Sequence, residues 1–266
     1  MTQKLNTPTG CLQALRTFSP EELEAEIKEP KKLLLEQTQY RGKHLDTSWA
    51  PFDHINTNAR IVIVGITPGR QQMENALRSC HAQMKSGASD KDALREAKTF
   101  ASFSGPMRTN LVEMLDEIGV SELLGLESTS LLWGQASNVV QFTSALRYPV
   151  FVDGKNYSGQ PSMLSVPALG AQLERWMGAE LRALPNAIYV PLGPKVGDAL
   201  AWLAPRVGVA EKQILNGLPH PSGASAERIA YWLGRKPRAA LSVKTNPEKL
   251  DAARTALLSK LASMEV

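Results

Sequence analysis

The chain of 266 residues is 43% hydrophobic and 21% charged, which is typical of a globular protein with a substantial core. Its formal net charge of +4 permits a polyanionic partner but does not require one. Cys11 and Cys80 are its two cysteines. They exclude a disulfide framework and a four-cysteine site for zinc or an iron–sulfur cluster, so we expect no metal and no cofactor.

The amino-terminal segment is predicted to be helical. Ser19 is a predicted N-cap, Pro20 occupies the first helical position, and acidic residues fill the first turn. After Pro30, the stretch KKLLLEQTQYRGK (31–43) is predicted to resume the helix. We therefore predict a helical extension over residues 1–49.

From residue 50 onward, predicted strands alternate with predicted helices. The runs RIVIVGI (60–66) and AIYVPLG (187–193) are typical of buried strands. RYPVFVDGKNYSGQP (147–161) predicts a hairpin that turns at Asp153 and Gly154. The predicted helices are GPMRTNLVEMLDEIG (105–119), LGAQLERWMGAELRAL (169–184), PKVGDALAWL (194–203), SAERIAYWLGRK (225–236), and a last helix capped by Asn246. We predict one three-layer α/β/α domain over residues 50–266 with a central, mostly parallel sheet.

Two loops after strands are rich in Gly, Pro and small hydroxyl side chains: GITPG (65–69) and HPSGAS (220–225). Ligands of parallel α/β sheets bind beyond the carboxyl ends of the strands, where such loops converge. Glycine lets backbone amides approach a phosphate, and serine adds a small hydroxyl donor. Each loop alone is equally explained as a strand–helix turn that needs Gly and Pro.

Three further stretches follow in order: FSGPMRTNLVEMLDEIG (103–119), SNVVQ (137–141) and PNAIYVPLGPKVGDAL (185–200). Together with the two loops, they resemble the motifs of the uracil-DNA glycosylase superfamily over residues 50–235. The resemblance implies that fold and a pocket that accepts a base flipped out of DNA.

The resemblance also implies residue roles. Thr67 and the backbone near it would position the attacking water, and His220 would donate to the departing base. The base would be bound by Gly65 and Ile66, stacked on Phe103 and read by Asn138. The flanking phosphates would be bound by Pro68, Gly69, Arg70, Pro221, Ser222, Gly223 and Ser225. Further pocket or DNA contacts are expected from Tyr148, Tyr157, Arg108 and Arg228.

The sequence departs from the family pattern at two positions. Thr67 stands where several branches carry Asp or Asn, and its hydroxyl is no base near neutral pH, although it can orient a water. After His220–Ser222, the residues Gly223, Ala224 and Ser225 are too small to fill an emptied base stack. The aromatic segment 142–159 suits a base larger than uracil, and it is equally explained as a self-packed surface hairpin.

We therefore predict a metal-independent, monomeric, cytoplasmic DNA glycosylase. It would hydrolyse the N-glycosidic bond of a flipped uracil or modified pyrimidine and leave an abasic site, in base-excision repair or in defence against modified foreign DNA. We expect no signal peptide and no membrane-spanning segment, because no stretch approaches roughly twenty apolar residues. Two alternatives stay open: a catalytically weak or inactive DNA-binding member of the superfamily, and a nucleoside or nucleotide hydrolase.

Overall fold

A computed structural model describes residues 2–264 of the protein and confirms the α/β class. The strands are β1 (Thr2–Lys4), β2 (Leu34–Tyr40), β3 (Lys43–Ser48), β4 (Ile61–Gly65), β5 (Val140–Ser144), β6 (Val150–Val152), β7 (Lys155–Asn156) and β8 (Ile188–Pro191). They form two sheets. One has three strands in the order β5–β4–β8, and the other has five in the order β1–β2–β3–β6–β7.

Eleven α-helices lie among the described residues. They are α1 (Pro8–Thr17), α2 (Pro20–Lys28), α3 (Arg70–Lys85), α4 (Asp90–Ala101), α5 (Pro106–Glu117), α6 (Val120–Leu124), α7 (Pro167–Gln172), α8 (Gly178–Ala183), α9 (Pro194–Leu203), α10 (Ala226–Trp232) and α11 (Pro247–Ala262). A π-helical turn, Leu173–Met177, links α7 to α8. Between residues 2 and 264, no helix has the length and apolarity that crossing a membrane requires.

The three-stranded sheet contains the predicted buried strands. In the pairing of β4 with β8, which is parallel, Ile61 lies opposite Ile188 and Val64 opposite Pro191. Every residue of β4 is buried, as its unbroken apolar run predicts.

The five-stranded sheet is antiparallel and was not predicted as a sheet; of its strands, the sequence indicated only the β6–β7 hairpin. The helical prediction for residues 31–43 is wrong, because this stretch forms β2, a tight turn and the first residue of β3. Arg41 and Gly42 both have positive φ (49° and 75°), which is the geometry of a type I′ hairpin turn. The strand conformation of this stretch depends on its pairing with β1 on one side and β3 on the other, which the helical prediction did not consider.

Several local predictions are confirmed. Ser19 caps α2 in a reciprocal capping box with Glu22. Asn246 caps α11. Asp153 and Gly154 form the turn between β6 and β7, again with positive φ at both positions (48° and 75°). The helix predicted over residues 105–119 forms as α5, and Leu111, Met114, Leu115 and Ile118 are buried.

Contacts along the backbone divide the chain into two compact units. Unit 1 comprises the residues up to Ile55 together with Gly65–Ser102 and Phe142–Glu180, and unit 2 comprises Asn56–Val64, Phe103–Gln141 and the residues from Leu181 onward. The predicted boundary between residues 49 and 50 is not a boundary of these units, and the division into an extension and a family-like domain stays a prediction. Cys11, Leu15, Trp49, Leu77 and Tyr148 belong to the core of unit 1.

Candidate functional site

The GITPG loop follows β4, and in unit 1 its threonine is an anchor. The Thr67 hydroxyl donates to the carbonyl oxygen of Tyr148 at 2.9 Å and accepts from the Val150 N–H at 3.1 Å. Thr67 is buried, Pro68 beside it is buried, and Ile66 is half-buried. The hydroxyl therefore ties the loop to the chain before β6, and only one lone pair of Oγ1 is left for a water.

The backbone N–H groups at the start of α3 donate hydrogen bonds to side chains of unit 1. The Gly69 N–H donates to the side chain of Gln72 at 3.2 Å, and the Arg70 N–H donates to Oδ1 of Asn156 at 3.0 Å. The Arg70 guanidinium lies 4.6 Å from the centre of the Phe151 ring. Both amides therefore already have intramolecular acceptors, and the phosphate contacts of Gly69 and Arg70 stay a prediction.

The two tyrosines predicted as pocket or DNA contacts are core residues. Tyr148 is fully buried, and its hydroxyl donates to the carboxylate of Asp53. Tyr157 is buried, and its hydroxyl donates to the carbonyl of Pro161 at 2.7 Å. Neither ring is open to DNA from the solvent side, because the hairpin folds its aromatic side chains inward, and their contact with a bound base stays a prediction.

A buried charged network surrounds Tyr148. Arg147 donates to Oε1 of Glu180 at 2.8 Å, and Lys98 donates to the carbonyl of His54 at 2.6 Å and lies 4.0 Å from Glu180. Burial lowers the pKa of Lys98 to about 8. Burial also raises the pKa of the Asp53 carboxyl, against hydrogen bonds from Tyr148 and Trp49. No motif pointed to this network, because its members are far apart in the sequence.

In unit 2, the HPSGAS loop fixes the orientation of His220. The Ser222 N–H donates to Nδ1 of His220 at 3.3 Å, and the Ser222 hydroxyl lies 3.0 Å from the same nitrogen. A nitrogen that accepts from an N–H carries no proton, so the neutral ring carries its proton on Nε2. Burial lowers the pKa of His220, which favours this neutral form.

Two further residues hold this loop from opposite sides. Gly193, just after β8, has φ +86°, and a Cβ there would lie 3.4 Å from Cβ of His220. Its N–H donates to the carbonyl of Leu218 at 3.1 Å. Asn110 of α5 donates to the carbonyl of Pro221 at 2.8 Å. The sequence analysis gave neither residue a role, although Gly193 follows a predicted strand as the glycines of the first loop do.

The remaining residues of the second loop differ in exposure. Pro221 and Ser225 are buried, Ser222 is half-buried, and Gly223 and Arg228 are exposed. A Cβ at Gly223 would meet no atom within 4 Å. Gly223, Ala224 beside it and Arg228 are therefore open to a ligand from solvent.

Phe103 precedes α5 in an uncommon backbone conformation. It is buried and has φ +51°, a left-handed conformation that an aromatic residue seldom adopts. Such conformations persist where surrounding structure enforces them, and they cluster at functional sites. Arg108, in the first turn of α5, lies 5.0 Å from the centre of the Trp133 ring, and burial lowers its pKa.

Asn138 does not lie near His220, which corrects its predicted role. It is exposed in the 3₁₀ turn Ser137–Val139 that precedes β5. Val139 accepts from the N–H of Arg60, the residue before β4, whereas His220 lies beside Gly193 after the end of β8. Because β4 and β8 are parallel, Asn138 and His220 lie at opposite strand ends, separated by at least the roughly 13 Å rise of a four-residue strand.

Within residues 2–264, no group of three or more His, Cys, Asp or Glu side chains is arranged to hold a metal ion. The two loops are therefore described one by one. In unit 1, Thr67 anchors its loop through hydrogen bonds. In unit 2, His220 is oriented by Ser222, and its loop is contacted by Gly193 and Asn110.

Among known proteins, the chain is similar to a bacterial protein. The uncharacterized protein YoxB of Bacillus subtilis (strain 168) is 34% identical over 186 residues, which are 69% of this chain and 73% of YoxB. No family model matches the chain, and no solved structure matches it significantly. At this identity and coverage, the chain belongs to the family of YoxB.

Proposed function

We propose that the protein is a DNA glycosylase that hydrolyses the N-glycosidic bond of a flipped uracil or modified pyrimidine, acting as a cytoplasmic monomer without a metal or iron–sulfur cluster. The observation that carries this proposal is His220, a neutral imidazole with its Nε2 proton free to donate. The sequence resemblance of the two loops supplies the reaction class.

The proposed chemistry depends on the departing base. As the glycosidic bond breaks, negative charge develops on the base, and positive charge develops on the sugar. A neutral N–H donor, already oriented by Ser222, stabilises that negative charge without reorganisation when the reaction occurs. Because bond breaking is largely dissociative, stabilising the leaving group lowers the barrier even where no carboxylate activates the water.

Thr67 has a supporting role in this proposal. Its hydroxyl fixes the loop after β4 to Tyr148 and Val150, and its remaining lone pair accepts from a water. Phe103 is proposed as the stacking platform for the extruded base, in line with its enforced backbone conformation.

The test offers oligonucleotides that carry uracil, hypoxanthine or bulky modified pyrimidines, and mass spectrometry detects the released base. We expect release of at least one base, and His220→Ala should slow it by about 10²–10³-fold, the usual loss on removing a donor of this kind. The matched control is His44→Ala, an exposed histidine of β3, which should leave the rate unchanged. Release of uracil alone would exclude the modified-base version.

A second candidate function is a DNA-binding member of the superfamily without glycosylase activity. The commitment of the Thr67 hydroxyl proton to Tyr148 favours it, because no acidic group takes its place in the loop. It predicts oligonucleotide binding that survives His220→Ala, weakens steeply with salt and never yields an abasic product. Turnover of free nucleotides with little salt dependence would instead indicate a nucleotide hydrolase.

A further inference from the structure

A groove of about 220 Å³ lies in unit 1, formed by the segment between β1 and α1, by β2 and by the π-helical turn. Its apolar part includes Leu35 and the indole of Trp176. Its polar part includes Lys4, Asn6, Glu36 and Arg175. None of these residues was predicted to have a function, and none belongs to the two loops.

The π-helical turn is the unusual element of this groove. π-helical turns are rare and occur frequently at functional sites. This turn carries both Arg175 and Trp176. The rings of Trp176 and Tyr148 form a T-shaped pair with their centres 4.7 Å apart. The backbone carbonyl of Trp176 accepts a hydrogen bond from the Arg147 guanidinium at 3.2 Å. The indole is therefore held in place by the core while it lines the groove.

The charges of the groove favour an anion at its rim. Lys4 and Arg175 are exposed, and neither forms a salt bridge with an acidic side chain of residues 2–264. An arginine and a lysine together are a common arrangement for binding a phosphate, the arginine through paired N–H groups and the lysine as a point charge.

The groove also contains hydrogen-bond acceptors. Nδ2 of Asn6 donates to the carbonyl of Leu34 at 3.0 Å, so the Oδ1 of that amide is available. Glu36 is half-buried, and burial raises its pKa, partly offset by the charges of Lys4 and Arg175 and by the Gln172 amide beside it. These acceptors suit a ligand that presents N–H groups.

The Arg175 guanidinium lies 5.3 Å from the centre of the Trp176 ring. We propose that this groove binds a nucleotide, with Arg175 turning from the indole to the phosphate beside Lys4, the base taking its place on Trp176, and an amino group of the base at Glu36. The volume is smaller than the roughly 300–1,000 Å³ of pockets for drug-sized ligands, which leaves space for one ring system with its phosphate at the rim. Stacking on an indole accepts any base, and the acceptors favour adenine, cytosine or guanine. The same chemistry is offered by a free mononucleotide and by a nucleotide of a single DNA strand.

The test measures binding of adenosine, cytidine, guanosine and uridine monophosphates to the full chain by calorimetry. We expect saturable binding that falls at least about tenfold in Lys4→Ala/Arg175→Ala, and by a similar factor when the nucleoside replaces the monophosphate. The matched control is Lys28→Ala/Lys91→Ala, two exposed cations elsewhere in unit 1, which should bind as the wild type does. In Glu36→Gln, the difference in affinity between the monophosphates whose bases carry an amino group and uridine monophosphate should become smaller.

A short single-stranded oligonucleotide then identifies the source of the nucleotide. If the oligonucleotide displaces the monophosphate from the wild type and does not bind Lys4→Ala/Arg175→Ala, the groove is assigned to a DNA strand. If the oligonucleotide does not displace the monophosphate, the groove is assigned to free nucleotides. Both outcomes support the proposal. No saturable binding of any monophosphate, or equal binding by the charge-removing and control variants, overturns it. Nucleotide binding should persist in His220→Ala, whereas base release should not. A failure of the groove proposal is therefore distinguishable from a failure of the proposed glycosylase activity.

Discussion

The Thr67 hydroxyl stabilises the fold at a position where the resemblance implied a residue that positions the attacking water. In Thr67→Val, the buried Val150 N–H and Tyr148 carbonyl lose their partner, while the shape of the side chain is kept. We expect the free energy of unfolding to fall by about 1–3 kcal/mol, measured by chemical denaturation.

The conservative variant separates the structural role of Thr67 from a chemical one. Thr67→Ser keeps both hydrogen bonds and should cost only about 1 kcal/mol for the lost methyl group. If Thr67→Ser abolishes base release while its stability stays near that of the wild type, the anchoring role is insufficient and the methyl group contacts the reaction.

Lys98 gives the unfolding free energy a definite dependence on pH. Its pKa falls from 10.5 to about 8 in the folded protein, so between these values the unfolded chain binds more protons. Stability from this residue therefore rises as pH increases through that window, by at most about 1.4 kcal/mol per pH unit. The buried thiols of Cys11 and Cys80, whose pKa rises from 9.0 to about 12, act in the opposite direction once the thiols of the unfolded chain begin to ionise, from about pH 8 upward.

The effect of Lys98 is therefore measured as a difference between two proteins, because both carry the same thiols. In denaturation of the wild type and of Lys98→Met between pH 8 and 9, the slope of the unfolding free energy against pH should be more positive in the wild type by about 1 kcal/mol per pH unit. Equal slopes would mean that Lys98 keeps its ordinary pKa in the folded protein.

The turn between β6 and β7 requires a glycine at position 154 because of its backbone conformation. Gly154 has φ +75°, and a Cβ there would meet no atom within 4 Å, so its replacement affects only the backbone conformation. Gly154→Ala should lower the free energy of unfolding by about 1–2 kcal/mol in thermal melts. Gly223→Ala is the matched control, because Gly223 has equally open surroundings and no positive φ. A neutral Gly154→Ala would show that the hairpin shifts to another turn.

Elements with local signals were predictable from the sequence. The cap of α2 at Ser19, the buried run of β4 and the Asp153–Gly154 turn each depend on a few neighbouring residues. The stretch that forms β2 was misread, because its strand conformation depends on pairing with β1 and β3 rather than on its own periodicity.

At the scale of the whole molecule, the site was predictable in part. His220 was found from its motif, and its orientation by Ser222 agrees with the proposed role. Asn138 was misplaced because the SNVVQ motif was matched only by its order along the chain, whereas Asn138 precedes β5 and so lies at the amino-terminal end of that strand. The network of Asp53 and Tyr148 was invisible because these residues are 95 positions apart and meet only in the folded chain.

The interleaving of the two units has a consequence for synthesis on the ribosome. The chain leaves one unit for the other after Ile55, Val64, Ser102, Gln141 and Glu180, so neither unit is a continuous piece. The wholly apolar β4 emerges early, but its two partner strands, Val140–Ser144 and Ile188–Pro191, are translated much later. Until the first of them emerges, the nascent polypeptide displays an unpaired hydrophobic strand, and such strands are prone to aggregate.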